Sequence, residues 1–93
     1  MLSRASRPKL APKARLRWDR RAGKYFLLYP ERGLLLNATA ADIVQLCTGE
    51  HTVDGIVSQL MEKYPGKPRA EVQSEVTAFL AQIQLRGLLE VIG

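Results

Sequence analysis

Tyr25-Phe26-Leu27-Leu28-Tyr29-Pro30-Glu31-Arg32-Gly33-Leu34-Leu35-Leu36-Asn37 is the stretch that decides the fold. Residues 25–29 are an unbroken aromatic and aliphatic run, and residues 34–36 are a second. Apolar runs this short fit either a strand or a buried helical turn, and the residues between them decide. Pro30 has a fixed φ, lacks an N–H and turns Tyr29 away from helical angles. Gly33 is able to take the positive φ that a tight reversal often uses. The stretch therefore reads as two short strands folded back on each other and ending at a helix cap, Asn37. Such a hairpin either lies wholly in the core or leaves its second strand with a free edge. With apolar residues on both faces, it needs cover on both.

The chain is 93 residues long, the size of one domain. The core at this size is modest, and an active-site cleft with a cofactor pocket fits poorly. No apolar run approaches the ~20 residues of a membrane span, and no apolar stretch follows the charged N-terminus as a secretory signal requires. Cys47 is the single cysteine and has no intrachain disulfide partner, so a reducing, cytoplasmic setting is expected. The formal charge of +5 is unevenly spread. Residues 1–24 hold nine basic side chains against Asp19 alone, a balance of +8, whereas residues 25–93 hold five basic against eight acidic, or −3.

Residues 1–13, with Pro8 and Pro12 among Ser, Ala, Arg and Lys, read as a flexible basic arm. Its alternatives are a solvated tail, or a contact for nucleic acid or an acidic partner. Residues 14–18 alternate Arg15 and Arg17 with Leu16 and Trp18, the period of a half-buried strand. Residues 19–24 then turn into the hairpin, giving three strands at 14–18, 25–29 and 34–36. Asn37 and Thr39 both offer helix caps, and Thr39 with Asp42 resembles a capping box. A first helix is predicted over 40–47, ending before Gly49. Thr52 caps a second, whose Val53, Ile56, Val57, Leu60, Met61 and Tyr64 form one amphipathic face. A third begins near Arg69 and turns Val72, Val76, Phe79, Leu80 and Ile83 inward, with Gly87 as its stop. Residues 88–92 are expected to be extended and packed on the body. Strands followed by helices predict an α+β domain over 14–93, winged-helix-like, with a three-stranded antiparallel sheet and three helices.

No catalytic set is evident. His51 and Cys47 stand alone, and no further Cys or His completes a metal site. No Gly-Lys-Ser/Thr phosphate loop occurs, and no nucleophile has a base in a recognisable motif. Neither metal nor cofactor is expected, and a stand-alone enzyme is disfavoured.

The run Leu27-Leu28-Tyr29-Pro30-Glu31, then Leu36-Asn37, Ala40, Ala41, Ile43, Leu46, Cys47, Gly49 and Thr52-Val53-Asp54-Gly55-Ile56, resembles PQQ biosynthesis protein D. Pro12, Arg15-Leu16 and Trp18-Asp19 upstream, and Phe79-Leu80 before Gly87-Leu88-Leu89, extend the likeness over residues 8–93. Thr48 departs from it, standing where the family commonly has Asp. The resemblance implies a non-catalytic peptide chaperone of pyrroloquinoline quinone biosynthesis. It implies binding of a ribosomally made precursor peptide and presentation to a radical S-adenosylmethionine enzyme with iron–sulfur clusters. It also implies a winged-helix-like fold that holds the leader as an added strand beside the third strand and third helix.

On that basis the leader is expected to pair with the edge at Leu34, Leu35, Leu36 and Asn37. Backbone pairing is largely blind to sequence, so selectivity falls to pockets against Val76, Phe79, Leu80 and Ile83. Leu34 and Leu36 share one face and Leu35 takes the other, and either face fits the groove. Ordering a leader costs about 2–5 kcal/mol, which makes micromolar affinity the natural expectation. Arg15, Arg17, Arg20 and Arg21 are expected to steer an acidic peptide or to dock the enzyme, or else to form a solvated rim. The runner-up is a winged-helix DNA-binding domain with a basic arm, although Glu71 and Glu75 are the wrong charges for a recognition helix. An open edge permits a monomer or a strand-exchanged homodimer.

Overall fold

A computed structural model describes residues 2–30 and 32–92. Glu31 of the Leu-Leu-Tyr-Pro-Glu run, Met1 of the arm and Gly93 lie outside the described residues. Along the chain the elements are β1 (Arg7–Leu10), β2 (Arg15–Asp19), β3 (Lys24–Tyr29), β4 (Arg32–Leu36), α1 (Ala38–Gln45), α2 (Val53–Lys63), α3 (Arg69–Leu85) and β5 (Leu89–Ile92).

The hairpin forms as its sequence dictates. β3 pairs antiparallel with β4, placing Leu27 opposite Leu34 and Tyr25 opposite Leu36. On its other side β3 pairs with β2, with Leu16 opposite Leu27 and Arg17 opposite Phe26. Because side chains alternate, Leu16, Leu27, Leu34 and Leu36 turn towards the helices, while Arg15, Arg17, Phe26, Leu28 and Leu35 turn outward. Gly33 is not the positive-φ residue its sequence suggests: it lies extended within β4, and left-handed glycines occur elsewhere, at positions such as Gly23 and Gly87. A Cβ at Gly33 would meet Leu28 Cδ2 at 2.9 Å, so the glycine makes room for its cross-strand neighbour.

The structure differs from the sequence expectation most within residues 1–13. Arg7–Leu10 is the strand β1, antiparallel to β5, with Pro8 opposite Val91. The segment is held by its backbone. Val53 N–H donates to Ser6 O (2.9 Å) and Asp54 N–H to Arg4 O (3.0 Å), satisfying orphan donors in the first turn of α2. Leu10 N–H donates to Cys47 O (3.0 Å), and Ala11 N–H donates to Leu88 O (2.9 Å). The expected extended tail after Gly87 is β5.

The helices fill the inner face of the three-stranded sheet. α1 starts two residues earlier than expected because Asn37, not Thr39, is its cap: Asn37 Oδ1 accepts from Ala40 N–H at 2.8 Å. Asp42 forms no capping box, and its carboxylate instead accepts from Lys63 Nζ at 2.8 Å and from the Tyr64 hydroxyl. α2 is capped by Thr52 Oγ1, which accepts from Gly55 N–H at 2.9 Å. α3 ends in a Schellman turn, in which Leu88 N–H reaches Ile83 O and Gly87 N–H reaches Gln84 O, both at 3.0 Å. Leu27, Ile43, Ile56, Val57, Val76, Leu80, Ile83 and Leu88 are fully buried together in one core.

Candidate functional site

In the order β2-β3-β4, both β2 and β4 have a sheet neighbour on one side only among the described residues. Each presents unpaired backbone donors and acceptors. What distinguishes β4 is its flank. α3 comes near it at two places. Near one end, Phe79 shares a cavity of about 290 Å³ with Asn37, the residue that follows β4. Near the other, Arg86 Nη1 donates to the Tyr29 hydroxyl at 3.4 Å, and Tyr29 pairs with Arg32, the first residue of β4. Phe79 of α3 and Arg86, just past its end, thus come near the two ends of β4.

The predicted residues occupy different depths. Leu34 is half-buried on the inner face, Leu36 is buried there, and Leu35 is half exposed on the outer face. Asn37 is exposed and its side chain is committed to the cap. On α3, Phe79 alone of the four predicted residues reaches the surface. Val76, Leu80 and Ile83 have no exposed area, so they set the helix on the core and meet nothing outside. The cavity beside Asn37 and Phe79 is completed by Thr39, Ala40, Ile43, Lys67 and Glu75, which sequence reasoning did not select. Lys67 Nζ and Glu75 Oε1 pair at 3.3 Å across its rim. The spacing of Glu75 and Phe79, four residues apart on α3, is the signal that places them on one face. Lys67 is a loop residue with no periodicity to reveal it.

A second cavity, about 520 Å³, lies between Trp18 and Tyr25 on the sheet and Asp42, Lys63 and Tyr64 on the helices. Trp18 and Tyr25 meet edge to face with centroids 4.9 Å apart. Burial works against ionisation of Asp42, but its hydrogen bonds from Lys63 and Tyr64 and the lysine charge outweigh that, holding the carboxyl below its ordinary range. Cys47 is buried and donates from Sγ to Ile43 O at 3.2 Å. Burial pushes its thiol up to about 12, so it stays protonated and unreactive at neutral pH. Arg15, Arg17, Arg20 and Arg21 are exposed on and beside β2. No helix among the described residues is long and apolar enough to cross a membrane.

Comparison with known proteins places this arrangement. The family model described as Coenzyme PQQ synthesis protein D (PqqD) matches residues 24–89. A PqqA binding protein of Rhodopseudomonas palustris (strain BisB5) is 40% identical over 88 residues, spanning 95% of this chain and 85% of that protein. A PqqA binding protein of Rhizobium meliloti (strain 1021) is 34% identical over 92 residues, spanning 99% and 93%. Among solved structures, the PqqD truncation of Methylobacterium extorquens PqqCD superposes with a TM-score of 0.83 at 30% identity, covering 97% of this chain and 95% of that one. That solution NMR structure is described as a functional, stand-alone recognition element for ribosomally synthesized and post-translationally modified peptides. Lasso peptide synthetase B1 complexed with the leader peptide shares the fold, with a TM-score of 0.75 at 21% identity, covering 90% of this chain and 98% of that one. The family match runs from the first residue of β3 through the three helices to the first residue of β5, and on it this chain belongs to the PqqD family.

Proposed function

We propose that this chain is a non-catalytic peptide chaperone of pyrroloquinoline quinone biosynthesis. It binds the precursor peptide PqqA, adds it as a strand to the free edge of β4, and presents it to a radical S-adenosylmethionine enzyme in the cytoplasm. The observation that carries the reading is the one-sided edge of β4, with Phe79 near one of its ends and Arg86 near the other. The relatives' name, PqqA binding protein, and the recognition-element description of the M. extorquens structure support it.

In this reading the backbone of residues 32–37 supplies the affinity common to any extended peptide. Leu34 and Phe79 supply half-buried apolar surface for side chains that turn inward. Asn37, Thr39 and the Lys67–Glu75 pair close one end of the groove. Leu36, Val76, Leu80 and Ile83 act from beneath by fixing the position of the wall. DNA recognition is less suited to α3, whose outer Ala70, Gln73, Ser74, Thr77 and Ala78 include no cation.

The test is a titration of the isotope-labelled chain with PqqA leader and with leaders N-methylated at single backbone positions. Amide shifts are expected at 32–37 and along the exposed side of α3. N-methylation is expected to abolish binding at alternate positions only, the signature of a strand paired along one edge. Shifts confined to β2, or equal tolerance of N-methylation everywhere, overturn the reading.

A further inference from the structure

The outward face of the β2–β3–β4 sheet has no part in the groove described above. Leu28 is 41% exposed and Leu35 50%, with Phe26 half-buried between them. Gly33 keeps this surface continuous: with no side chain of its own on β4, it lets Leu28 lie close over the strand. Phe26 and Leu28 form the floor of a depression of about 560 Å³ whose rim includes Arg17, Trp18, Arg20 and Arg21. Arg15 stands beside it, opposite Leu28. Asp19, the remaining rim residue, is turned to its own backbone, its Oδ1 accepting from Arg21 N–H (2.9 Å) and Ala22 N–H (3.2 Å). The ion pairs among the described residues involve Arg4, Lys63, Lys67 and Arg69, and none uses these four arginines.

We propose that this face docks a folded protein whose surface is acidic around an apolar centre, and that this protein is the enzyme receiving the peptide. The choice of enzyme rests on the preceding subsection. The chemistry of the face is independent of it. An apolar floor needs an apolar counterpart to displace its water, and unpaired guanidinium groups take carboxylates in bidentate geometry. Nucleic acid would satisfy the rim and leave the leucines bare. A flat bilayer would meet the rim without filling the depression. A protein knob with Asp or Glu around it does both.

Leu35 makes this face sensitive to the peptide. It belongs to β4, and a strand added to the edge of β4 extends the sheet on both faces. Alternate side chains of the peptide then lie next to Leu35, inside the footprint of the docked protein. Peptide and enzyme therefore bind with positive coupling, each raising the affinity of the other by the same factor.

The experiment titrates the purified radical S-adenosylmethionine enzyme into the full chain by calorimetry, with and without saturating PqqA leader. Two variants are compared, Leu28→Ser and the surface pair Arg17→Glu with Arg21→Glu, each checked for fold by circular dichroism. Saturating leader is expected to tighten enzyme binding several-fold. Each variant is expected to weaken enzyme binding at least tenfold and to change leader affinity less than twofold. Folded variants that bind enzyme normally overturn this face and leave peptide presentation standing. An enzyme that does not bind the unsubstituted chain overturns both. Phosphatidylglycerol vesicles or random duplex DNA binding more tightly than the enzyme, and losing that binding in the same variants, overturn the protein partner.

Discussion

Asn37 joins two parts of the molecule in one side chain. It ends β4 and caps α1, and it stands at the mouth of the cavity with Phe79. Asn37→Ala is expected to cost about 1 kcal/mol, the usual loss for an N-cap. That should lower the thermal midpoint by about 4–8 °C in a domain of this size, as read by calorimetry. Gly87 is the second such position. Its φ of +74° is needed for the turn that ends α3, and Gly87→Ala should cost about 1–2 kcal/mol through left-handed strain. Asp42 sets a pH response. Its folded pKa lies below its ordinary value of 3.8, so its contribution is complete above that value and is lost as pH falls through the folded pKa. Acid unfolding followed by fluorescence should therefore be shallower in Asp42→Asn, which at neutral pH should already be less stable by about 1 kcal/mol.

At the scale of elements, β1 is the strand on which stability and the sequence reading most disagree. Its carbonyls and amides hold β5 and the 46–49 connection, and Arg4 and Ser6 just before it hold the start of α2. Deleting residues 2–10 should cost at least about 2–6 kcal/mol, since the four backbone bonds lost outside the β1–β5 ladder each contribute about 0.5–1.5. Hydrogen exchange should show β5 losing protection first, with the β3–β4 hairpin least affected. α3 carries the complementary prediction. Phe79→Ser removes apolar surface from the groove and leaves Val76, Leu80 and Ile83 packed, so leader affinity should fall about tenfold, or about 1.4 kcal/mol, in a chain that remains folded.

For the whole molecule, the charge imbalance separates two surfaces. The N-terminal quarter carries +8, and its arginines at 15, 17, 20 and 21 lie with the outward sheet face. In the proposed groove between β4 and α3, leader binding depends on backbone pairing and apolar contact. Raising salt from about 50 to 200 mM shortens the screening length and weakens exposed charge attraction. Enzyme association should therefore slow markedly over that range in stopped-flow measurements, while leader affinity changes little.

Sequence alone determined the hairpin, the helix order, the caps at Thr52 and Gly87 and the inward stripe of α3, because each rests on local chemistry or on a period set by backbone geometry. Pro30 breaks the chain between two apolar runs, and Val72, Val76, Leu80 and Ile83 recur at helical spacing. Tertiary structure decided three things. It made Arg7–Leu10 a strand, which no pattern announces, because backbone groups pair without regard to side-chain polarity. It put Val76, Leu80 and Ile83 out of reach and left Phe79 at the surface, since the depth of a stripe depends on what packs beside it. It brought Lys67 and Glu75 to Asn37, because only the folded chain sets a loop and two helices around one cavity.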